Sequence, residues 1–276
     1  MNEEMIASAD GTEIFVRSWL PPRAPRAVLA VVHGFKSHSG LYDWAGPRLA
    51  ETGLAVYALD LRGHGKSGGE RLYAEKMSEF TDDVDALVNL ARSRHPGLAV
   101  FMLGHSAGGV VSCMYVLEHQ KELAGFICES FAHEVPAPDF VLAVLKGLSH
   151  ITPHAHVLKL EDEGYSRDPK FVERIKNDPL IPKIAYPALT VAEMVRADER
   201  LKQGDFEKIT LPVLILHGTA DRVTLPRGSE RFQEKGGSKD KTLKLYPDHF
   251  HDLLNDVGRE GVLADITQWI AARIPR

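Results

Sequence analysis

Residues 100–109 read VFMLGHSAGG, so that the apolar run 100–103 is followed directly by the pattern G-x-S-x-G at 104–108. A stretch with helical periodicity follows at 107–121, which places the pattern between a strand and a helix. A serine in that position sits on a sharp turn, where the flanking glycines relieve crowding and the hydroxyl is exposed. The first turn of the helix directs its free N–H groups at the same point. The segment therefore predicts that Ser106 is a nucleophile at the carboxyl end of a β-strand.

The same alternation of apolar runs and helical stretches extends along most of the 276 residues. Candidate strands are Glu13–Trp19, Ala27–His33, Leu54–Asp60, Ala99–Gly104, Leu123–Glu129, Pro212–His217 and Thr242–Tyr246, and candidate helices lie at 39–53, 77–95, 107–121, 225–236 and 252–273. Several strands are continuously apolar, as expected where helices cover both faces of a sheet. The turn signal Asp10-Gly11 predicts an antiparallel hairpin at the N-terminal edge. The pattern predicts an α/β fold with a doubly wound, mostly parallel sheet.

The alternation stops between Ser130 and about Phe206. This segment has helical periodicity, seven prolines and no strong strand pattern, and it is too long for a plain crossover. We therefore predict a helical cap at 130–206, inserted over the carboxyl ends of the strands. Residues 1–129 and 207–276 would then form the core domain.

A serine hydroxyl needs a general base, and the base needs a carboxylate that orients it. In this type of fold the partners follow in the order Ser, Asp, His. Asp221 lies in the loop directly after the strand at 212–217, whereas Asp198 and Asp205 lack a preceding strand. After the last strand two histidines compete, and His251, just before a helix-like run, is favoured over His249 as the base.

Two backbone N–H groups are expected to bind the oxyanion of the intermediate. The first is that of Ala107, the residue after the nucleophile. The second is that of Phe35, in the turn HGF that follows the strand at 27–33.

Residues 136–148 read PAPDFVLAVLKGL, and their apolar side chains would form one stripe on a helix. One interpretation is that the stripe packs the cap onto the sheet. The other is that part of it lines an acyl tunnel above Ser106, because ligand sites on such sheets lie at the carboxyl ends of the strands. The predicted substrate-binding residues are Phe140, Val144, Leu145 and Leu148.

Composition excludes several classes of function. Thirty-three Lys and Arg against 38 Asp and Glu give a net charge of −5, which argues against nucleic-acid binding. No apolar run approaches the ~20 residues of a membrane span, and the acidic start at 2–4 is unlike a signal peptide, so a cytoplasmic protein is expected. The lipid contact that we expect is transient and passes through the cap. No pattern indicates an oligomeric state.

No cofactor or metal is predicted. Residues 63–68 match G-x-G-x-x-G, but no helix opens there as a dinucleotide site requires, and the first glycine of a P-loop would fall on Asp60. The pair His154 and His156 lacks a further ligand at a recognisable spacing. Two cysteines, Cys113 and Cys128, make neither a disulfide framework nor a zinc site.

These motifs resemble the α/β-hydrolase superfamily, specifically its monoacylglycerol lipase and lysophospholipase-like branch, the serine aminopeptidase S33 or hydrolase-4 group. The likeness is carried by HGFKSHSGLY at 33–42, LDLRGHGKSGGER at 59–71, GHSAGG at 104–109, VLILHGTAD at 213–221 and the cap-like SRDPKFVERIKNDPL at 166–180. It implies a triad of Ser106, Asp221 and His251. The chain departs from the branch at Phe35, where a small residue is frequent, and at Ala107, where methionine is common. The Phe35 ring is therefore expected to narrow the acyl pocket.

The leading hypothesis is a serine esterase whose small-molecule substrates are monoacylglycerol-like or other small monoesters. The same triad could instead cleave a thioester, an amide or a C–C bond, because fold and triad do not select the substrate. A non-catalytic ligand-binding receptor on this fold is the alternative from another class.

Overall fold

Residues 1–274, which a computed structural model describes, form a central eight-stranded sheet and a separate two-stranded sheet. The strands are β1 (Asn2–Ala7), β2 (Glu13–Trp19), β3 (Ala27–Val32), β4 (Leu54–Leu59), β5 (Val100–His105), β6 (Gly125–Glu129), β7 (His156–Leu158), β8 (Tyr186–Pro187), β9 (Val213–Gly218) and β10 (Lys241–Tyr246). The central order is β1-β2-β4-β3-β5-β6-β9-β10. Strand β2 pairs antiparallel with β1 and β4, and the other central neighbours are parallel. The predicted fold class is confirmed.

The helices of the described residues lie between these strands. They are α1 (Ala45–Glu51), α2 (Met77–Arg94), α3 (Ala107–His119), α4 (Asp139–Ile151), α5 (Pro169–Asn177), α6 (Ala188–Lys202), α7 (Pro226–Lys235) and α8 (Arg259–Ala271). The stretches 39–53 and 252–273, predicted as single helices, each begin with a separate 3₁₀ turn, Ser39–Tyr42 and Leu253–Asn255. The second break occurs at Gly258, whose φ of 93° is left-handed and cannot continue an α-helix. None of the helices in this part of the chain combines the length and apolar composition that crossing a bilayer requires.

The sheet is covered on both faces, as the apolar strand β3 shows. Its side chains alternate between two cores. Val28, Ala30 and Val32 lie in a cluster that includes buried residues of α2 and α3. Ala27, Leu29 and Val31 lie in the opposite cluster, with buried residues of α1 and α8. A strand buried on both faces has no polar side to alternate with, which explains its uninterrupted apolar sequence.

The glycine-rich segment 63–68 forms a loop around the carboxylate of Asp60. Asp60 accepts hydrogen bonds from the N–H groups of Lys66 at 2.8 Å and Ser39 at 2.6 Å. Gly65, with a φ of 47°, packs so closely that a Cβ atom there would lie 2.0 Å from Asp60 Oδ2. The glycines thus serve close packing in this loop, and the next helix begins only at Met77.

Residues 130–206 contain helices α4, α5 and α6 together with the strands β7 and β8. These two strands pair antiparallel and were not predicted from the sequence. They are only three and two residues long and include Pro187, so they carry no alternating pattern. Thr190 of α6 links this region to the core, because its hydroxyl accepts a hydrogen bond of 2.9 Å from the N–H of Ala74.

Candidate active site

Ser106 occupies the turn between β5 and α3 with a backbone φ of 55°, a left-handed conformation that a serine rarely adopts. The glycines on either side are required by close packing. A Cβ atom at Gly104 would lie 2.5 Å from Ser112 Oγ, and one at Gly108 would lie 2.3 Å from the carbonyl oxygen of His33. Strain of this kind persists only where surrounding structure imposes it, and it is concentrated at functional sites.

Asp221 and His251 are brought together from the ends of β9 and β10. Their Oδ2 and Nδ1 atoms lie 2.8 Å apart, and both side chains are fully buried. The half-buried His249 instead places its Nδ1 atom 3.0 Å from the carbonyl oxygen of Pro247. Of the two histidines in the last loop, His251 is therefore the one that contacts the Asp221 carboxylate.

The Asp221 carboxylate has further donors on both oxygens. The N–H groups of Val223 and Thr224 lie 2.8 and 3.1 Å from Oδ1, and the Thr224 hydroxyl donates to Oδ2 at 2.9 Å. His217 Nε2 lies 3.1 Å from Oδ2. Burial opposes ionisation, but His251 and His217 outweigh it and hold the pKa of Asp221 well below its usual value. The group is thus a carboxylate at neutral pH.

The second nitrogen of His251, Nε2, is buried and has no hydrogen-bond partner among residues 1–274. The ring lies between His105, with centroids 4.8 Å apart, and the edge of Tyr165 at 5.2 Å. Because Nδ1 donates to Asp221, the neutral ring carries its lone pair on Nε2. This nitrogen can therefore accept a proton.

The turn after β3 packs directly on the nucleophile turn. A Cβ atom at Gly34 would lie 2.7 Å from Ser106 Cβ and 2.9 Å from the carbonyl oxygen of His105. The next residue, Phe35, donates its N–H to no group in the described part of the chain. Ala107 is the first residue of α3, so its N–H lacks an acceptor in a preceding helical turn. Phe35 thus follows a residue that packs on Ser106, and Ala107 follows Ser106 directly; their roles as oxyanion donors stay predictions.

The predicted cap residues are distributed differently. Phe140 and Val144 are 70% and 66% exposed, Leu148 is 37% exposed, and only Leu145 packs against the core. Helix α4 turns polar groups toward α6, where Lys146 pairs with Glu199. Most of its apolar stripe is consequently exposed to solvent.

Glu129, at the end of β6, connects two parts of the site that sequence analysis did not link. Its carbonyl oxygen accepts the Ser106 N–H at 2.9 Å, and its carboxyl accepts the Leu254 N–H at 3.2 Å. Burial raises the pKa of Glu129 well above its usual value, and burial raises the pKa of the neighbouring Asp252 to about 6.

Sequence analysis also missed His217, Thr224, Tyr165 and Tyr186. His217 had a usable signal, since it lies near the end of a strand, four residues before Asp221. The two tyrosines had none, because they lie at 130–206 outside any periodic pattern. Among residues 1–274 no group of three or more His, Cys, Asp or Glu side chains is arranged to hold a metal ion.

The strained serine turn, the buried Asp–His pair and the mostly parallel sheet define a serine hydrolase with the α/β-hydrolase fold. The family model described as "Serine aminopeptidase, S33" matches residues 23–258. The chain belongs to this family.

Similar proteins cover nearly the whole chain. It is 34% identical to the monoacylglycerol lipase of Mycolicibacterium smegmatis, over 99% of this chain and 98% of the relative. It is 32% identical to human monoglyceride lipase, over 97% and 90%. The crystal structure of Paleococcus ferrophilus monoacylglycerol lipase has 30% identity and a TM-score of 0.85, over 95% of this chain and 99% of that one.

Proposed function

We propose that this protein is a serine ester hydrolase that cleaves monoacylglycerol-like and other small monoesters through an acyl-enzyme on Ser106. The observation that carries the proposal is the buried pair of Asp221 and His251, 2.8 Å apart, in a chain whose nucleophile turn precedes it. The three relatives described above, each named a monoacylglycerol or monoglyceride lipase, support the substrate class.

In the proposed reaction, His251 Nε2 takes the proton of the Ser106 hydroxyl as the oxygen attacks the ester carbonyl. The Asp221 carboxylate holds the ring in the required tautomer and stabilises the imidazolium. The N–H groups of Phe35 and Ala107 bind the oxyanion of the tetrahedral intermediate. His251 then protonates the leaving alcohol, and a water molecule, deprotonated by the same ring, releases the acid.

We further propose that residues 130–206 act as a cap, and that its exposed stripe makes transient contact with lipid. Phe140, Val144 and Leu148 lie at i, i+4 and i+8, on one side of α4. Contiguous exposed apolar side chains are typical of surfaces that meet a protein or a membrane. The acyl-lining role of these residues and of Leu145, and the cytoplasmic location, stay predictions.

The test is hydrolysis of a panel of monoacylglycerols, lysophospholipids and p-nitrophenyl esters by the wild type and by Ser106→Ala. We expect turnover of monoacylglycerols that the variant lacks. Preferential cleavage of matched thioesters or amides would replace the ester assignment. Binding of the panel without any turnover would indicate a receptor.

A further inference from the structure

Two tyrosines from residues 130–206 hold the two ends of one peptide group in the loop after β3. The hydroxyl of Tyr165 donates to the carbonyl oxygen of Phe35 at 3.3 Å, and the hydroxyl of Tyr186 lies 2.5 Å from the N–H of Lys36. The Phe35 carbonyl and the Lys36 N–H belong to the same planar peptide unit. Both tyrosines are buried, each 3% exposed. The peptide is therefore hydrogen-bonded at both its carbonyl oxygen and its N–H by side chains from outside its own loop.

The direction of the Tyr186 hydrogen bonds follows from its other neighbour, His64. The Nδ1 atom of His64 lies 2.9 Å from the carbonyl oxygen of Arg62 and must donate to it, which leaves a lone pair on Nε2. Tyr186 Oη lies 3.2 Å from that Nε2. Burial lowers the pKa of His64 to about 3, so the ring is neutral at neutral pH. Tyr186 therefore donates its hydroxyl proton to His64 and uses an oxygen lone pair to accept the Lys36 N–H.

The Phe35–Lys36 peptide leads into a residue with an unfavourable backbone conformation. Lys36 has a φ of 56°, which is unfavourable for a residue with a side chain. Its ammonium group is held by Asp162 at 2.5 Å and by the carbonyl oxygen of Leu160 at 2.6 Å, both in the same 130–206 region. The Phe35 ring stacks on that of Tyr186, with centroids 4.0 Å apart. Every one of these contacts comes from outside the core strands.

The proposed oxyanion donor, the N–H of Phe35, is one residue before this peptide. Rotation of the Phe35–Lys36 peptide changes the ψ angle of Phe35 and with it the local path of the loop. Tyr165 also reaches the base, because its ring edge contacts His251 and its carbonyl oxygen accepts the Asp252 N–H at 2.8 Å. One buried tyrosine thus touches both the oxyanion loop and the histidine loop.

We propose that Tyr165 and Tyr186 are positioning residues that orient the Phe35–Lys36 peptide, so that the oxyanion hole is complete only while residues 130–206 are docked on the core. The proposal deepens the proposed function and rests on it. A cap that lifts to admit substrate would release this peptide, and its return would restore the hole around the bound ester.

The test compares Tyr165→Phe, Tyr186→Phe and the double variant, which remove only hydroxyl groups. The matched control is Tyr115→Phe, whose hydroxyl donates to Asp85 at 3.2 Å. The measurements are kcat and KM for p-nitrophenyl butyrate, the melting temperature, and the inhibition constant of a trifluoromethyl ketone. The Ser106 oxygen adds to the carbonyl carbon of this ketone and forms an anionic hemiketal, whose oxygen occupies the oxyanion hole.

Each single variant is expected to lower kcat by about 10- to 100-fold, since small misplacements of a catalytic group cost this much. The inhibition constant of the ketone should rise by the same factor, while KM stays within about twofold. Because both hydroxyls act on one peptide, the factor by which kcat falls in the double variant should be smaller than the product of the factors in the two single variants. Tyr115→Phe should match the wild type in kcat and in the inhibition constant.

Wild-type turnover separates failure of this proposal from failure of the proposed function. If the wild type cleaves the ester and both single variants keep its kcat and inhibition constant, the positioning role is wrong. It is also wrong if the losses fall on KM alone, or if they multiply in the double variant. If Tyr186→Phe fails to fold, the kcat and inhibition constant of Tyr165→Phe test the positioning role alone, because this variant keeps the hydrogen bond to the Lys36 N–H.

Discussion

The Nδ1 atom of His251 lies 2.8 Å from Oδ2 of Asp221, and neither side chain is exposed to solvent. A carboxylate in this position is attracted to an imidazolium more strongly than it would be in water. Its attraction for the neutral ring is smaller, so in the proposed reaction the carboxylate stabilises the imidazolium that forms as Ser106 attacks. In that reaction the contact would stabilise the transition state more than the resting enzyme.

The two histidines of the last loop should differ sharply on substitution. His251→Ala is expected to reduce kcat for p-nitrophenyl butyrate by about 10⁴-fold or more, nearly as much as loss of the nucleophile, because triad residues act as a unit. His249→Ala, the matched control, should keep most of the wild-type kcat. The opposite ranking would transfer the base to His249.

Asp252 should make a contribution to stability that is lost as pH rises from about 4 to about 6. The buried His33 and His64, whose pKa values burial lowers to about 4 and about 3, have the opposite sign, so the overall free energy of unfolding should still rise with pH in this range. Burial raises the pKa of Asp252 to about 6. Between its unfolded and folded pKa values this carboxyl therefore binds more protons in the native state than in the unfolded state, so its contribution to the free energy of unfolding decreases with pH. The loss from this group is about 3 kcal/mol and is complete above the folded pKa. Asp221, whose pKa is lowered, has the opposite sign and acts only below about pH 4.

Urea unfolding of the wild type and Asp252→Asn at several pH values between 4 and 7 measures the contribution of Asp252 to the free energy of unfolding. The free energy of unfolding of Asp252→Asn should rise more steeply with pH than that of the wild type, whereas Glu234→Gln, which removes an exposed carboxyl 70% accessible to solvent, should follow the wild type. An unchanged slope in Asp252→Asn would show that the buried carboxyl is not responsible.

The exposed stripe of α4 should govern contact with lipid. Val144 is 66% exposed, and Val144→Ser is expected to weaken binding to phosphatidylcholine vesicles in a flotation assay. Val257, 54% exposed and outside the cap, provides the same substitution as a control. Equal vesicle binding by Val144→Ser and Val257→Ser would show that the stripe of α4 does not govern contact with lipid.

Phe35 should influence both stability and acyl-chain preference. Its ring is 6% exposed and stacks on Tyr186, so Phe35→Ala is expected to cost about 3–5 kcal/mol in the free energy of unfolding. If the ring narrows the acyl pocket, kcat/KM of the wild type should peak at medium chains, and the variant should favour longer ones. The measurement is kcat/KM for p-nitrophenyl esters from C2 to C12. A fall beyond C4 that is identical in both proteins would show that Phe35 does not set chain length.

Much of the fold could be predicted because the signals are local. Strand β3 is apolar at every position, which marks it as a buried strand. The glycines of the pattern at 104–108 are required because neighbouring atoms leave no room for a Cβ atom at Gly104 or Gly108. Asp221 and His251 could be proposed because parallel strands bring their carboxyl ends to one edge of the sheet.

The parts that could not be predicted depend on contacts between distant segments. Tyr186 meets Lys36 across a separation of 150 residues, and no periodicity marks either residue. The apolar stripe of α4 was recognised, but its direction was not, because the polar pair of Lys146 and Glu199 turns the helix with that stripe outward. Periodicity identifies a face of a helix and does not say what the face meets.

The most direct test of the central claim is covalent labelling by a fluorophosphonate, followed by mass spectrometry of the intact protein and its peptides. We expect one adduct per chain, located on Ser106, and none in Ser106→Ala, even though the variant keeps the wild-type melting temperature. Ser112→Ala, which changes a buried serine of α3 that lies beside Gly104, serves as the labelling control and should still react at Ser106. An adduct on a different serine, or esterase activity that persists in purified Ser106→Ala, would contradict the assignment of Ser106 as the nucleophile.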